Sequence, residues 1–189
     1  MLKIDHLPPF VQPTLQRYWQ TLQEKAGADA GSDAEALTEL VKSREGFARQ
    51  LAQVWACSDY AANVCLQHPG MLLDLQQSGQ LLRLRADEFF DELKAELQSL
   101  FPDQASEVSD KSLDDVELKR RLRLFQQKQM LRLIWRDVSH QASVRDTASE
   151  VSALAEAAME VTLDLLHRWL VSSMGEPIGH RSGQAQRMV

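Results

Sequence analysis

The sequence predicts an all-α protein: a multi-helix bundle with a long basic central helix and a carboxy-terminal antiparallel helix hairpin. Three observations lead there. Good helix formers (Leu, Ala, Gln, Glu, Arg) dominate the 189 residues, and only 8 Gly and 6 Pro punctuate them. Apolar residues recur at spacings of three and four, while period-two runs of Val, Ile and Thr are missing. From Val116 to His140 the chain reads VELKRRLRLFQQKQMLRLIWRDVSH, without a helix breaker and without an acidic residue between Glu117 and Asp137.

Residues 1–12, with Pro8 and Pro9, read as an extended lead-in to a helical bundle over 13–177. Its first part, 13–102, consists of short helices. Pro13 and Thr14 can start the first, with Leu15, Tyr18, Trp19 and Leu22 on one side, and the stretch Gly27 to Gly31 breaks it. Ser32 and Glu35 have capping-box spacing ahead of a second helix through Leu37, Leu40 and Val41, which Gly46 interrupts or weakens. Phe47, Leu51, Val54 and Trp55 share a face, and Ser58 or Asp59 can cap a short helix with Tyr60, Val64 and Cys65. Pro69 forces His68 out of helical geometry and suits the first turn of a helix carrying Met71, Leu72 and Leu75 to Gly79. Phe89, Phe90, Leu93 and Leu97 mark a helix over roughly 87–100, closed by Pro102.

Residues 103–115 form an acidic linker, with Asp103, Glu107, Asp110, Asp114 and Asp115 against Lys111, and Ser112 with Asp115 reads as a cap for the central helix. The long-helix hairpin occupies 116–177. Its first arm ends near residues 140–144. Thr147 with Glu150 caps the second, which runs to about Met174 and stops at Gly175 and Pro177. The second arm's seam reads as Val151, Ala155, Ala158, Thr162, Leu165 and Trp169. Residues 178–189 are a polar loop.

Composition bounds the function. With 44% hydrophobic and 25% charged residues the chain is of the folding kind, and a net charge of −6 argues against nucleic acid as its main partner. Cys57 and Cys65 stand about two helical turns apart, beyond disulfide reach. They read as small buried side chains in a reducing, cytoplasmic compartment. No apolar leader and no membrane-length apolar run is present, so no membrane partner is expected. Trp55, Trp135 and Trp169 sit on apolar faces and read as core.

The central helix carries seven basic residues: Lys119, Arg120, Arg121, Arg123, Lys128, Arg132 and Arg136. Projected at about 100° per residue, Leu124, Met130, Leu131, Ile134, Trp135 and Val138 share one arc, and Leu118, Leu122 and Leu133 another. Arg121, Lys128, Arg132 and Arg136 fall on a stripe between them, a candidate interface or anion-contact site. Two readings stand side by side. Guanidinium forks can grip phosphate or an acidic protein surface, or the stripe can face Glu156, Glu160 and Asp164 of the last helix across a hairpin. No HExxH, CxxC, GxSxG or Gly-rich phosphate loop occurs, so no catalytic, cofactor-binding or metal-binding residue is assigned. His68 reads as a helix-junction residue.

Three stretches carry a family resemblance. LRLFQQKQMLRLIWRDV (122–138) is similar to a basic signature of the form LRxFRRxxMLRIAWRDL. CSDYAANVCLQHPGMLLDL (57–75) resembles an S-D-[FY] … HP-x-L/M-L segment, and ALAEAAMEVTLDLL (153–166) resembles the family's next helix. Over about residues 45–177 their order and spacing resemble the bifunctional glutamine synthetase adenylyltransferase/adenylyl-removing enzyme family, in the amino-terminal helical segment of the adenylyl-removing half. Gln126 and Gln127 stand where the family is more basic.

The resemblance implies an enzyme that removes AMP from a tyrosine of glutamine synthetase by phosphorolysis. It implies further that the other half attaches AMP from ATP with Mg²⁺, under a PII signal protein, in regulation of nitrogen assimilation. In that family a turn of the form GMGKLGGxELNxxSDxDL, whose aspartates hold metal, comes after a tail like GHRSGQAQRMV. It is absent from these 189 residues. Nucleotidyl transfer needs closely spaced carboxylates to hold two metal ions, so this stretch alone is expected to be inactive, to bind no cofactor and to pack against the missing catalytic domain. The alternative is a free-standing α-helical interaction module using its basic helix.

Overall fold

The computed structural model describes residues 2–101, 111–180 and 183–186, and the regular elements among them are helical. Among the described residues, eight α-helices occur in order: α1 Gln12–Ala28, α2 Asp33–Ser43, α3 Glu45–Cys57, α4 Asp59–Gln67, α5 Pro69–Gln77, α6 Phe89–Leu100, α7 Lys111–Val138 and α8 Val144–Met174. Single 3-10 turns lie at Gln80–Leu82 and Ala86–Glu88. Among the described residues, no helix is long and apolar enough to cross a membrane. Pro102 and the 103–110 part of the acidic linker lie outside the described residues.

Local chemistry sets most of the boundaries. Ser32 accepts from the Glu35 amide at 3.3 Å, and Glu35 reaches back to the Gly31 amide at 2.5 Å. Ser58, rather than Asp59, caps α4 by accepting from the Ala61 amide at 3.2 Å. His68 leaves helical geometry at φ −133°, and Pro69 opens α5 where its missing N–H costs nothing. Gly46 lies inside α3, and Arg44 separates α2 from α3. Residues 111–115, read as linker, are the first turns of α7.

The chain divides into two compact units, and the divisions fall between Leu84 and Arg85, inside α7 and inside α8. One unit joins Met1–Leu84 to Gln126–Ala148. Its core holds the expected Leu15, Leu22, Leu37, Leu51, Trp55 and Leu72, together with Leu131 and Trp135 of α7. Trp135 stacks on Phe47 at 5.3 Å, and Tyr18 meets Trp55 edge-on at 6.0 Å. The lead-in belongs to this core too: Leu2 and Ile4 are buried in it. Tyr60 of α4 is 43% exposed, and Cys57, expected to be a small buried side chain, is exposed whereas Cys65 is buried.

The other unit joins Arg85–Phe125 to Ser149–Val189. Phe89, Leu93 and Leu97 of α6 are buried in it, as are Leu118, Phe125, Leu154, Ala157, Val161 and Leu165. The buried face of α8 is therefore not the expected seam: of its six positions only Leu165 is buried, and Val151 is 42% exposed. A neighbouring stripe, turned by about one residue, takes that place. At the tail Gly175 has φ +83°, and Ile178 and Ala185 form an isolated antiparallel bridge.

Candidate functional site

The four stripe residues of α7 stand in different surroundings, and the unit boundary separates Arg121 from the other three. Arg121 is partly exposed. It donates to Glu117 at 2.6 Å and lies 3.8 Å from Glu96 of α6, so its partners in this unit are these acids rather than those of α8. Glu117 also takes a fork from Arg120 at 2.7 Å. Hydrogen bonds from Arg120 and then Arg121 hold the Glu117 carboxyl down at about 2. Lys119 forms its own i,i+4 pair with Asp115 at 2.6 Å. Such exposed pairs on one helix settle its surface charge and add little stability.

Deeper along α7 the stripe turns inward. Lys128 remains partly exposed, 3.9 Å from the Asp74 carboxylate of α5. Arg132 is fully buried, its Nε donating to the buried Gln129 at 3.2 Å and its Nη1 to the Arg83 carbonyl. Arg136, one turn on, is also buried. A buried guanidinium is tolerated only when its donors are met, and Arg132 meets this by donating to Gln129 and to the Arg83 carbonyl that follows the turn at Gln80–Leu82.

A second buried ionic cluster went unread in the sequence. Arg85, 6% exposed, meets Glu88 at 2.8 Å and Glu92 at 3.0 Å. Its backbone N–H donates to Glu150 at 2.9 Å, and Glu150 is fully buried. The sequence offered Glu150 as a capping residue; the spacing of Arg85 to Glu88 and Glu92 was the available signal. Beside it, α6 and α8 line a groove of about 230 Å³ with Phe90, Lys94, Leu97, Glu160, Asp164 and Arg168. Its charges are mixed: Arg168 stands 3.6 Å from Asp164, and Lys94 lies over the Phe90 ring at 5.3 Å.

Among the described residues, no three His, Cys, Asp or Glu side chains are grouped so as to hold a metal ion. Burial pushes the Cys65 thiol up to about 12, far from nucleophilic use at neutral pH. What the arrangement does chemically is hold helices together through buried arginines and present helical surfaces with paired charges.

Comparison with known proteins adds identity to this geometry. The family model described as glutamate-ammonia ligase adenylyltransferase matches residues 48–189. The chain is 36% identical over 186 residues to the bifunctional glutamine synthetase adenylyltransferase/adenylyl-removing enzyme of Pseudomonas aeruginosa, covering 98% of this chain and 18% of that protein. The protein of the same description from Nitrosococcus oceani is 36% identical over 190 residues, covering 98% and 17%. That from Pseudomonas putida is 33% identical over 183 residues, covering 97% and 17%. The chain thus spans under a fifth of the length of the curated relatives it matches.

Proposed function

Because this chain belongs to the glutamate-ammonia ligase adenylyltransferase family, we propose that it is a helical part of an enzyme that removes AMP from a tyrosine of glutamine synthetase. In its other half that enzyme adds AMP to the same tyrosine, so regulating nitrogen assimilation. The observation that carries this reading is the match over residues 48–189, joined to relatives aligned along 97% and 98% of the chain. The removal is a phosphorolysis: phosphate attacks the AMP phosphorus, the bond to the tyrosine oxygen breaks, ADP leaves and the hydroxyl regains its proton. Mg²⁺ and ATP or ADP belong to the nucleotidyltransferase portion, whose Gly-rich turn and paired aspartates these 189 residues do not contain. Cytoplasmic location and control by a PII signal protein belong to the same family reading.

The role of this chain is then to support and shape the catalytic portion. The short connection 139–143 and the Thr147 to Asp137 hydrogen bond at 3.4 Å support α7 and α8 as the two arms of a hairpin, with α7 as the long basic central helix. The candidate stripe divides by task. Arg121 and Lys128, both partly exposed, can meet acids of the catalytic portion, whereas Arg132 and Arg136 serve cohesion.

The test is a transplant. This chain replaces the matching residues of the Pseudomonas aeruginosa protein, and phosphate-dependent release of AMP from adenylylated glutamine synthetase is measured. The chimera is expected to release AMP and the 189-residue chain alone to release none. A chimera that still attaches AMP but cannot remove it, or release by the chain alone, overturns the reading.

A further inference from the structure

Helix α8 has two apolar faces, and only one is used. Leu154, Ala157, Val161 and Leu165 are buried. Met159, Leu163, Leu166, Leu170 and Met174, at spacings of four, three, four and four, are exposed, Met159 by 59% and Met174 by 81%. Together they form a continuous stripe roughly 22 Å long at 1.5 Å per residue. An apolar strip of that length left in water marks an interaction surface rather than scattered surface leucines.

The flank of the stripe identifies what fits it. Glu156 and Glu160, both exposed, line one side, continued by Asp164. The opposite side carries Ala158, Thr162 and Trp169 and no cation. Between Val151 and Met174 the one arginine, Arg168, already lies 3.6 Å from Asp164. A second copy of α8 packed antiparallel would set acidic flank against acidic flank, and a parallel copy would set it against a side without a cation. An anionic lipid surface would be repelled in the same way. A helix with an apolar face and a lysine- or arginine-bearing flank satisfies both the stripe and the acids.

We propose that the exposed α8 stripe docks an amphipathic helix with a basic flank, supplied by another part of the same, longer polypeptide. The source rests on the family reading above and on relatives of which this chain matches 17–18%. Occupancy covers Met159 and Met174, and Glu156 and Glu160 select the occupant by charge.

Hydrogen peroxide oxidation of those two methionines, read by mass spectrometry, tests it without reference to AMP chemistry. In the 189-residue chain both are expected to oxidise rapidly. In the transplanted full-length protein they should oxidise about tenfold more slowly, and Glu156→Lys/Glu160→Lys should abolish that protection. Equal rapid oxidation in both proteins overturns the proposal. Protection in the isolated chain that grows with its concentration overturns it in favour of a second copy. If the transplant does not fold, the isolated chain decides with two synthetic leucine-heptad peptides that differ only in a lysine or glutamate flank. Selective protection by the lysine peptide, reversed by the double charge swap, supports the proposal, and equal or no protection overturns it. A transplant that protects its methionines but fails to release AMP would count against the functional reading alone.

Discussion

Ser143 and Asp146 close the amino terminus of α8 reciprocally: the Asp146 amide donates to the Ser143 hydroxyl at 3.2 Å, and the Ser143 amide donates to the Asp146 carboxylate at 3.0 Å. The sequence pointed to Thr147 and Glu150 instead. Both pairs have capping spacing, and periodicity alone does not choose between them. Tertiary structure does, because Glu150 is withdrawn into the Arg85 cluster and Thr147 turns to Asp137. Replacing Ser143 by Ala is therefore expected to cost about 1 kcal/mol in urea denaturation, against under about 0.5 kcal/mol for Thr147→Ala. The Ser143 hydroxyl and then its amide hold the Asp146 carboxyl below its ordinary range. A depressed carboxyl stabilises above the unfolded value and loses that stabilisation as pH falls through the folded one, so the Ser143→Ala penalty should shrink in acid. The preceding turn ends α7 with His140 at φ +55° while Gln141 donates to the Arg136 carbonyl at 2.8 Å, a left-handed cap that nothing but the geometry reveals.

At the scale of the element, α8 shows what periodicity can and cannot resolve. It carries apolar residues on more than one stripe, so spacings of three and four fit several faces. The acidic Glu150 at the head of the buried face disguises that face further. The register gives a direct prediction. Leu165→Ala, at a position 2% exposed, should cost about 3 kcal/mol, whereas Leu163→Ala, at 39% exposed, should cost under about 1 kcal/mol. Equal urea midpoints for the two variants would show the register to be wrong. On α7 the stripe is the feature that burial divides. Arg132 and Arg136 are both buried, and Arg132 shows that a guanidinium on a long stem can satisfy a carbonyl inside a fold as readily as a phosphate outside it.

For the molecule as a whole, the chain divides into two compact units, and the cysteines report on one of them. Cys57 and Cys65 both belong to the Met1–Leu84/Gln126–Ala148 unit, the first exposed and the second in its core. Labelling with a disulfide reagent at neutral pH is expected to give one fast equivalent from Cys57 and a second only as urea opens that unit. Two fast equivalents would contradict the packing of α4. The division itself was illegible in the sequence, where 103–115 read as an acidic linker within one bundle over 13–177. Two of the three divisions fall inside the long helices, where no linker composition marks them, and the third falls in the short connection at Leu84 and Arg85.

By itself the sequence determined the helical class, the start of α2, the break at His68 and Pro69, and the resemblance that the family match bears out, and it narrowed the cap of α4 to Ser58 or Asp59. These depend on hydrogen bonds and backbone restrictions within a few residues of each other, which any window of the chain contains. Only the tertiary structure decided which face of α8 is buried, which arginines lie inside, and where one unit gives way to the next. Burial is set by neighbours brought together from distant parts of the chain, and amphipathic patterning constrains it to a face only when one face alone is apolar.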